Sequence, residues 1–318
     1  MWCQSVRQVV VISVLTITLA SAACGGGTVL YVDDDAEPGG DGQSWETAFA
    51  FLQDALDAAR RPRSGAFEEI HVAQGLYLPD HDENHPEGNA DPWETFALID
   101  GVAVMGGYAG IGAEDPDERN IDLYETILSG DLLGDDLPGF VNYDDNSFHV
   151  VTADGNDDTA LVEGCTITAG YAHFEPYDHD QGAGMLVNAA SPVVRQCLFV
   201  WNAASGSDAA GGALCNRGGG HVMVDQCMFL ENKSHDIGGG MAQLGSDATI
   251  TDCSFESNVA VRMGGGLFND DGGVFIDNCT FTSNEVSNGP YFAMGGGSVP
   301  TTVRWTSQNA SSGATCRP

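Results

Sequence analysis

Arg217 and Asp270 bring this chain nearest to acid–base chemistry on a polymer. Eliminative cleavage of an acidic polysaccharide needs bound calcium to offset uronate charge and a basic Arg or Lys to take the proton. Hydrolysis needs two carboxylates at a set gap. Either group must lie on one outer strand face. Aligning the strands that follow each glycine cluster puts Asn216, Gln243 and Asn269 in one register and Arg217, Leu244 and Asp270 in the next. Arg217 and Asp270 then stand two coils apart, roughly 9.6 Å at the usual strand spacing, with Leu244 between them. That is a poor active site, and chance placement is the plainer reading.

Asp80, Asp82, Asn84 and Asp91 occupy positions 1, 3, 5 and 12 of a hand-like calcium loop. Position 6 is His85 rather than Gly, and position 12 is Asp rather than Glu, so a solvated loop competes with the calcium reading. The eight histidines show no metal-ligand spacing. Trp45, Trp93 and Trp201 could stack on sugar rings; packing in a cap or at a corner is the plainer role for each.

What would position these groups is a repeat. Four copies read Cys-x-Phe-x-x-Asn: Cys197-Phe199-Asn202, Cys227-Phe229-Asn232, Cys253-Phe255-Asn258 and Cys279-Phe281-Asn284. Glycine clusters follow at Gly211-Gly212, Gly238 to Gly240, Gly264 to Gly266 and Gly295 to Gly297, and a weaker copy begins at Cys165. The steps between the cysteines are 32, 30, 26 and 26 residues, a solenoid period. Cys-x-Phe alternation suits a strand buried on one face, and the polar pair before each Cys suits a bend. The repeat has no room for a helix. Strand stacked on equivalent strand makes a parallel β-helix with ladders of Cys, Phe and Asn along its axis. Asn tolerates left-handed backbone and can bond the amide above and below. Glycine allows positive φ and close backbone approach. These residues therefore read as wall rather than as catalyst.

Ahead of the regular coils, 28–33 reads as a strand and 47–60 as an amphipathic helix with Phe51, Leu52, Ala55, Leu56 and Ala59 on one face. Such a helix would cover the open end of a solenoid. Residues 69–73, 96–99, 102–108 and 126–128 read as strands of irregular early coils, and 131–145 as an excursion from the wall. The expected organisation is a signal peptide over 1–23, a cap and first strands over 24–95, the β-helix over 96–297 and an atypical tail over 298–318. Glu285 is the last acid, and the pattern stops after Gly297 without a sequence-evident C-terminal cap, as in a truncated or frameshifted gene.

Export follows from the start of the chain: Arg7, an apolar run from Val9 to Ala20, then small residues up to Ala23. The run is too short to span a bilayer, and no later run is long enough. Cys24 raises a lipid anchor, although Ser21 stands where a lipobox usually has Leu. Secretion or display on a bacterial cell surface or outer membrane is the expectation. Nine cysteines in an exported chain would suggest disulfides, but side-by-side Cβ vectors in a parallel stack favour buried thiols. With 11 Lys+Arg against 46 Asp+Glu, the net charge of -35 argues against nucleic acid and anionic membranes.

The regular half resembles polymorphic outer-membrane-protein repeats, through Phe199-x-x-Asn202 and its three successors and through Gly211-Gly-Ala-Leu214. Most of the glycine triplets here carry Gly in place of that Ala. The first half looks like a group of exported bacterial β-helix proteins, in 31–35, 39–59, 69–79, 100–110 and 126–131. Together the likenesses cover about residues 28 to 297. They imply an all-β, right-handed parallel β-helix solenoid of the pectate-lyase-like superfamily, with an N-terminal helical cap. They imply little chemistry, since fold does not fix function. Two functions stay open: a non-catalytic exported wall for surface adhesion or polysaccharide binding, and a calcium-dependent pectate-lyase-like enzyme on acidic polysaccharide.

Overall fold

The computed structural model describes residues 28–61, 67–173 and 179–287, and the backbone of 301–306. The expected signal segment over 1–23, Cys24 and the rest of the tail lie outside the described residues. The chain winds as a right-handed parallel β-helix with three walls and a short corner sheet. The first wall stacks Thr28–Val32, Phe67–Ala73, Ala103–Tyr108, Leu161–Glu163, Val193–Arg195, His221–Asp225, Asp247–Thr251 and Val274–Thr282. Gly75–Tyr77, Thr126–Ser129, Cys165–Thr168, Leu198–Val200, Met228–Leu230 and Ser254–Glu256 form the second wall, which shares Val274–Thr282 with the first. The third holds Phe96–Ala97, Val151–Asp154, Met185–Asn188, Leu214–Arg217, Met241–Leu244 and Leu267–Asp270. Tyr171–Ala172, Ala203–Ala204, Lys233–Ser234, Val259–Ala260 and Glu285–Val286 make the corner.

The ladders form as the spacing requires. Phe199, Phe229, Phe255 and Phe281 stack with centroids 4.9, 4.5 and 4.7 Å apart and planes within 4°. Tyr77, Leu128 and Ile167 continue that column through the irregular coils. Cys165, Cys197, Cys227, Cys253 and Cys279 are buried free thiols in one column, which Thr126 extends. Burial pushes the Cys227 thiol well above its ordinary range. The first three ladder Asn residues each donate the backbone N–H to the Oδ1 of the next, at 3.0 Å from Asn202 to Asn232, Asn232 to Asn258 and Asn258 to Asn284.

The bends differ from expectation in one respect. Left-handed backbone falls on the residue before each ladder Asn, at Trp201, Glu231, Ser257 and Ser283, with φ between 53° and 55°. It also falls on the residue before each Cys, at Gln196, Gln226, Asp252 and Asn278. Asn is chosen for its buried amide, which bonds backbone and neighbour at once. Gly212 meets the expected close approach, since a Cβ there would lie 2.2 Å from the Lys233 carbonyl.

Helix α1 spans Leu52–Arg60, five residues shorter at its start than the periodicity predicts. Phe49 is held extended beside the first strand: its N–H donates to Tyr31 O and its carbonyl accepts from Asp33 N, both at 2.9 Å. Helix α1 buries Leu52, Ala55 and Leu56. It packs on Thr28–Val32, Phe67–Ala73 and Phe96–Ala97, closing the first coil. At the other end Thr301–Thr306 adds antiparallel to Val274–Thr282, so the last described coil carries a covering strand that the sequence did not announce.

Candidate functional site

In the third wall the register is as the alignment requires, with Asn216 beside Gln243 beside Asn269, and Arg217 beside Leu244 beside Asp270. The first row points inward: Asn216 and Gln243 are fully buried, and Asn216 Nδ2 donates to Gln243 Oε1 at 2.8 Å. The second row faces out as Asp154, Asn188, Arg217, Leu244 and Asp270. Leu244 separates Arg217 from Asp270, and Arg217 Nη1 donates to Gln181 Oε1 at 3.0 Å. No acid and base share adjacent rungs in this row.

A third row was missed by sequence reasoning. Leu186, Cys215 and Ala242 also face outward, yet they are buried under Ala210 and Ile237. The segment before each glycine cluster folds back over the wall: Gln181, Ala210, Ile237 and Met263 bridge one another in parallel, and Gly182, Gly211, Gly238 and Gly264 turn the chain with positive φ. An apolar residue four places after each cluster's first glycine was the available signal.

The four residues of the hand-like loop do not share a centre. Asp80 is buried, and its Oδ2 accepts from Asn89 N at 2.9 Å and Ala90 N at 2.8 Å. Asp91 Oδ1 accepts from Trp93 N at 3.0 Å. Asp82 and Asn84 line a cleft of about 280 Å³ beside α1, with Asp41, Asp54, Asp57 and Glu83. Burial, then the charges of Asp82, Glu83 and Asp57, raises the Asp54 carboxyl to about 6. At Asp33-Asp34-Asp35, Asp33 Oδ2 accepts from Ile111 N at 2.6 Å and Asp34 Oδ2 from Leu76 N at 2.9 Å, so these acids pin loops.

Trp45 is packed in the cap against Tyr31 and Tyr108. Trp93 and Trp201 are instead 50% and 53% exposed. Trp93 is braced. Phe148 N donates to Pro92 O at 2.9 Å and Phe96 N to Val150 O at 2.9 Å, which lays the Trp93 segment along the wall. The Trp93 ring stands edge-on to Phe148 at 5.0 Å and to His179 at 4.5 Å. His173 continues the surface, 5.2 Å from Phe148 and stacked at 4.5 Å on Tyr171. Beneath lies His149, whose pKa burial lowers to about 3, with His179 and Arg217 acting in the same direction. Neutral His149 donates from Nδ1 to Gly182 O at 3.0 Å, so Nε2 accepts from His179 Nδ1 at 3.1 Å. That pair fixes the ring which braces Trp93.

Along the folded-back segments runs a polar line. Gln181 bonds Arg217 and Asp208, Asp180 Oδ2 accepts from Asp208 N at 3.2 Å, and Asp236 pairs with Arg262 at 2.6 Å. The arrangement offers a rigid exposed aromatic face beside hydrogen-bonding groups already held in place.

A family described as a right handed beta helix region matches residues 141–303, just over half of the chain. The chain belongs to the right-handed β-helix family. No curated protein and no solved structure matches it. In this β-helix the match begins within the excursion at 131–146 and takes in every Cys-x-Phe-x-x-Asn copy. Among the described residues no helix is long and apolar enough to cross a membrane.

Proposed function

We propose that this β-helix is an exported, cell-surface wall that binds polysaccharide without cleaving it. The observation that carries the reading is the Trp93 platform: a half-exposed indole whose orientation is set by Phe148 and His179. A pyranose ring presents an apolar C–H face that suits such a flat surface, and its hydroxyls need polar neighbours. Gln181 and Arg217 supply those, and their mutual bond lowers the ordering needed on binding. The non-catalytic part rests on the outward row of the third wall, where Arg217 bonds Gln181 and Leu244 parts it from Asp270.

The test is a polysaccharide panel, neutral and acidic, probed by binding with the full exported chain and with Trp93→Ala. Saturable binding that Trp93→Ala weakens at least tenfold, with unchanged circular dichroism, supports the reading. Binding unaffected by Trp93→Ala removes it. Growth of unsaturated-product absorbance on polygalacturonate with calcium, lost in Arg217→Ala, would establish the lyase instead.

A further inference from the structure

Between Ser129 and Ser147 the chain leaves the wall and returns. Asp131 anchors the departure, its Oδ1 accepting from Asp135 N at 3.1 Å and its Oδ2 from Asp136 N at 3.3 Å. Leu137 and Val141 exchange backbone bonds of 3.0 and 3.3 Å, which turns the loop back. Asp145 then returns beside its start. One carboxylate oxygen from each of Asp131, Asp135 and Asp145 lies within 4.8 Å of the other two. Asp136 is close enough to feel the charge of all three. None of the four makes an ion pair among the described residues.

Acids gather on many surfaces without consequence, and this chain has 46. The distinguishing observation is Asn146. It is fully buried beneath the loop, its Nδ2 donates to Asp136 Oδ2 at 2.8 Å and to Ala169 O at 2.7 Å, and its Oδ1 has no donor against it. The nitrogen and oxygen of one amide are about 2.3 Å apart, so Oδ1 lies within about 5 Å of Asp136 Oδ2. Asp136 Oδ1 and Asp145 Oδ2 are likewise buried and without a donor. Lys233, the cation on this side, has its ammonium over the Phe140 ring at 5.7 Å. A buried carbonyl and two buried carboxylate oxygens with no donor against them are unfavourable unless a cation satisfies them.

We propose that Asp131, Asp135 and Asp145, with Asn146 Oδ1 as the neutral donor, bind one calcium ion that pins the excursion to the wall. Calcium takes several oxygens at about 2.3–2.6 Å in irregular geometry, which places ligand oxygens up to about 5 Å apart. Magnesium demands a near-ideal octahedron and suits an irregular loop less well.

The experiment titrates the full chain, stripped with chelator, with terbium, and reads luminescence sensitised by Tyr143 and Trp201. The expected result is one saturable equivalent, displaced by calcium at least tenfold more readily than by magnesium. Asp145→Asn and Asp135→Asn each weaken it at least tenfold, while Asp82→Asn in the separate acidic cleft leaves it unchanged. Asp135 is exposed, so its variant keeps the test valid if Asp145→Asn fails to fold. Wild-type affinity in Asp135→Asn, or equal loss in Asp82→Asn, overturns the site and marks the binding as general attraction to an acidic surface.

Discussion

Replacing Asn232 by alanine tests the ladder directly. Asn232 is 1% exposed, and its side chain makes four bonds. Its Oδ1 accepts from Asn202 N at 3.0 Å and from Asn202 Nδ2 at 3.1 Å, and its Nδ2 donates to Phe199 O at 2.9 Å and to Asn258 Oδ1 at 3.0 Å. Truncation strands the Asn202 N–H in the interior, at about 1–3 kcal/mol. The other three bonds involve groups with further partners, so each is worth the low end of about 0.5–1.5 kcal/mol. Asn258 Oδ1 still accepts from Asn232 N, and Asn202 Nδ2 still reaches Ile167 O and Val200 O. The expected loss is about 2.5–4.5 kcal/mol, which at roughly 2–4 °C per kcal/mol lowers the melting temperature by about 10 °C. Thermal and urea unfolding followed by circular dichroism measure it, with Glu231→Ala as the exposed neighbour. A loss below about 1 kcal/mol, or one matched by Glu231→Ala, would mean that the amide ladder does not hold the coils together.

Asp54 and the thiols give two further outcomes. Asp54 titrates near 6 when folded against an ordinary 3.8, so the folded chain holds this proton the more tightly; stability falls as pH rises from about 4 to about 6, and the deficit persists above. Because the group is only partly buried, the deficit after solvent screening is about 1 kcal/mol. Asp54→Asn should therefore be more stable than the parent by that amount at pH 8 and equal to it at pH 3.5; equality at both pH values would refute the cause. Burial pushes the Cys215 thiol to about 12, and the five ladder thiols are buried too. With nine cysteines in the chain and six described as buried, no more than three (nine less six) should react with Ellman's reagent at pH 8 before urea is added. Rapid native reaction of more than three would refute their burial.

The solenoid was legible because its rule repeats in residue type: Cys, Phe and Asn at fixed offsets must superpose once strands stack, and they do. The bends were less legible for a physical reason. Left-handed backbone falls on Trp201, Glu231, Ser257 and Ser283, three residue types with no shared preference for it, because the neighbouring ladder Asn over-determines the corner. The start of α1 was misjudged because the apolar face from Phe51 to Ala59 marks no boundary before it, and Phe49, inside the expected helix, finds a strand edge to join. Of the candidate site, the register of Arg217 was readable; the exposure of Trp93 was not, since packing was the plainer reading for it, and neither was the bracing by His179, which joins segments 86 residues apart in chain positions that no period relates.

A repeat can therefore specify a fold completely while leaving function unmarked. Inside, every coil must present the same shape to the next, so selection for packing writes identical residues at equivalent positions. Outside, the row Asp154, Asn188, Arg217, Leu244, Asp270 changes charge or polarity at every step, because no neighbour requires it to match. Chemistry that depends on several groups meeting must then come from where the repeat is broken. The Trp93 segment and the 131–146 excursion are two such places, and both press against the wall through bonds that the regular coils do not make. The platform and the acidic loop arise at insertions for that reason: an insertion is free to choose its side chains and is held by bonds to the coils beside it.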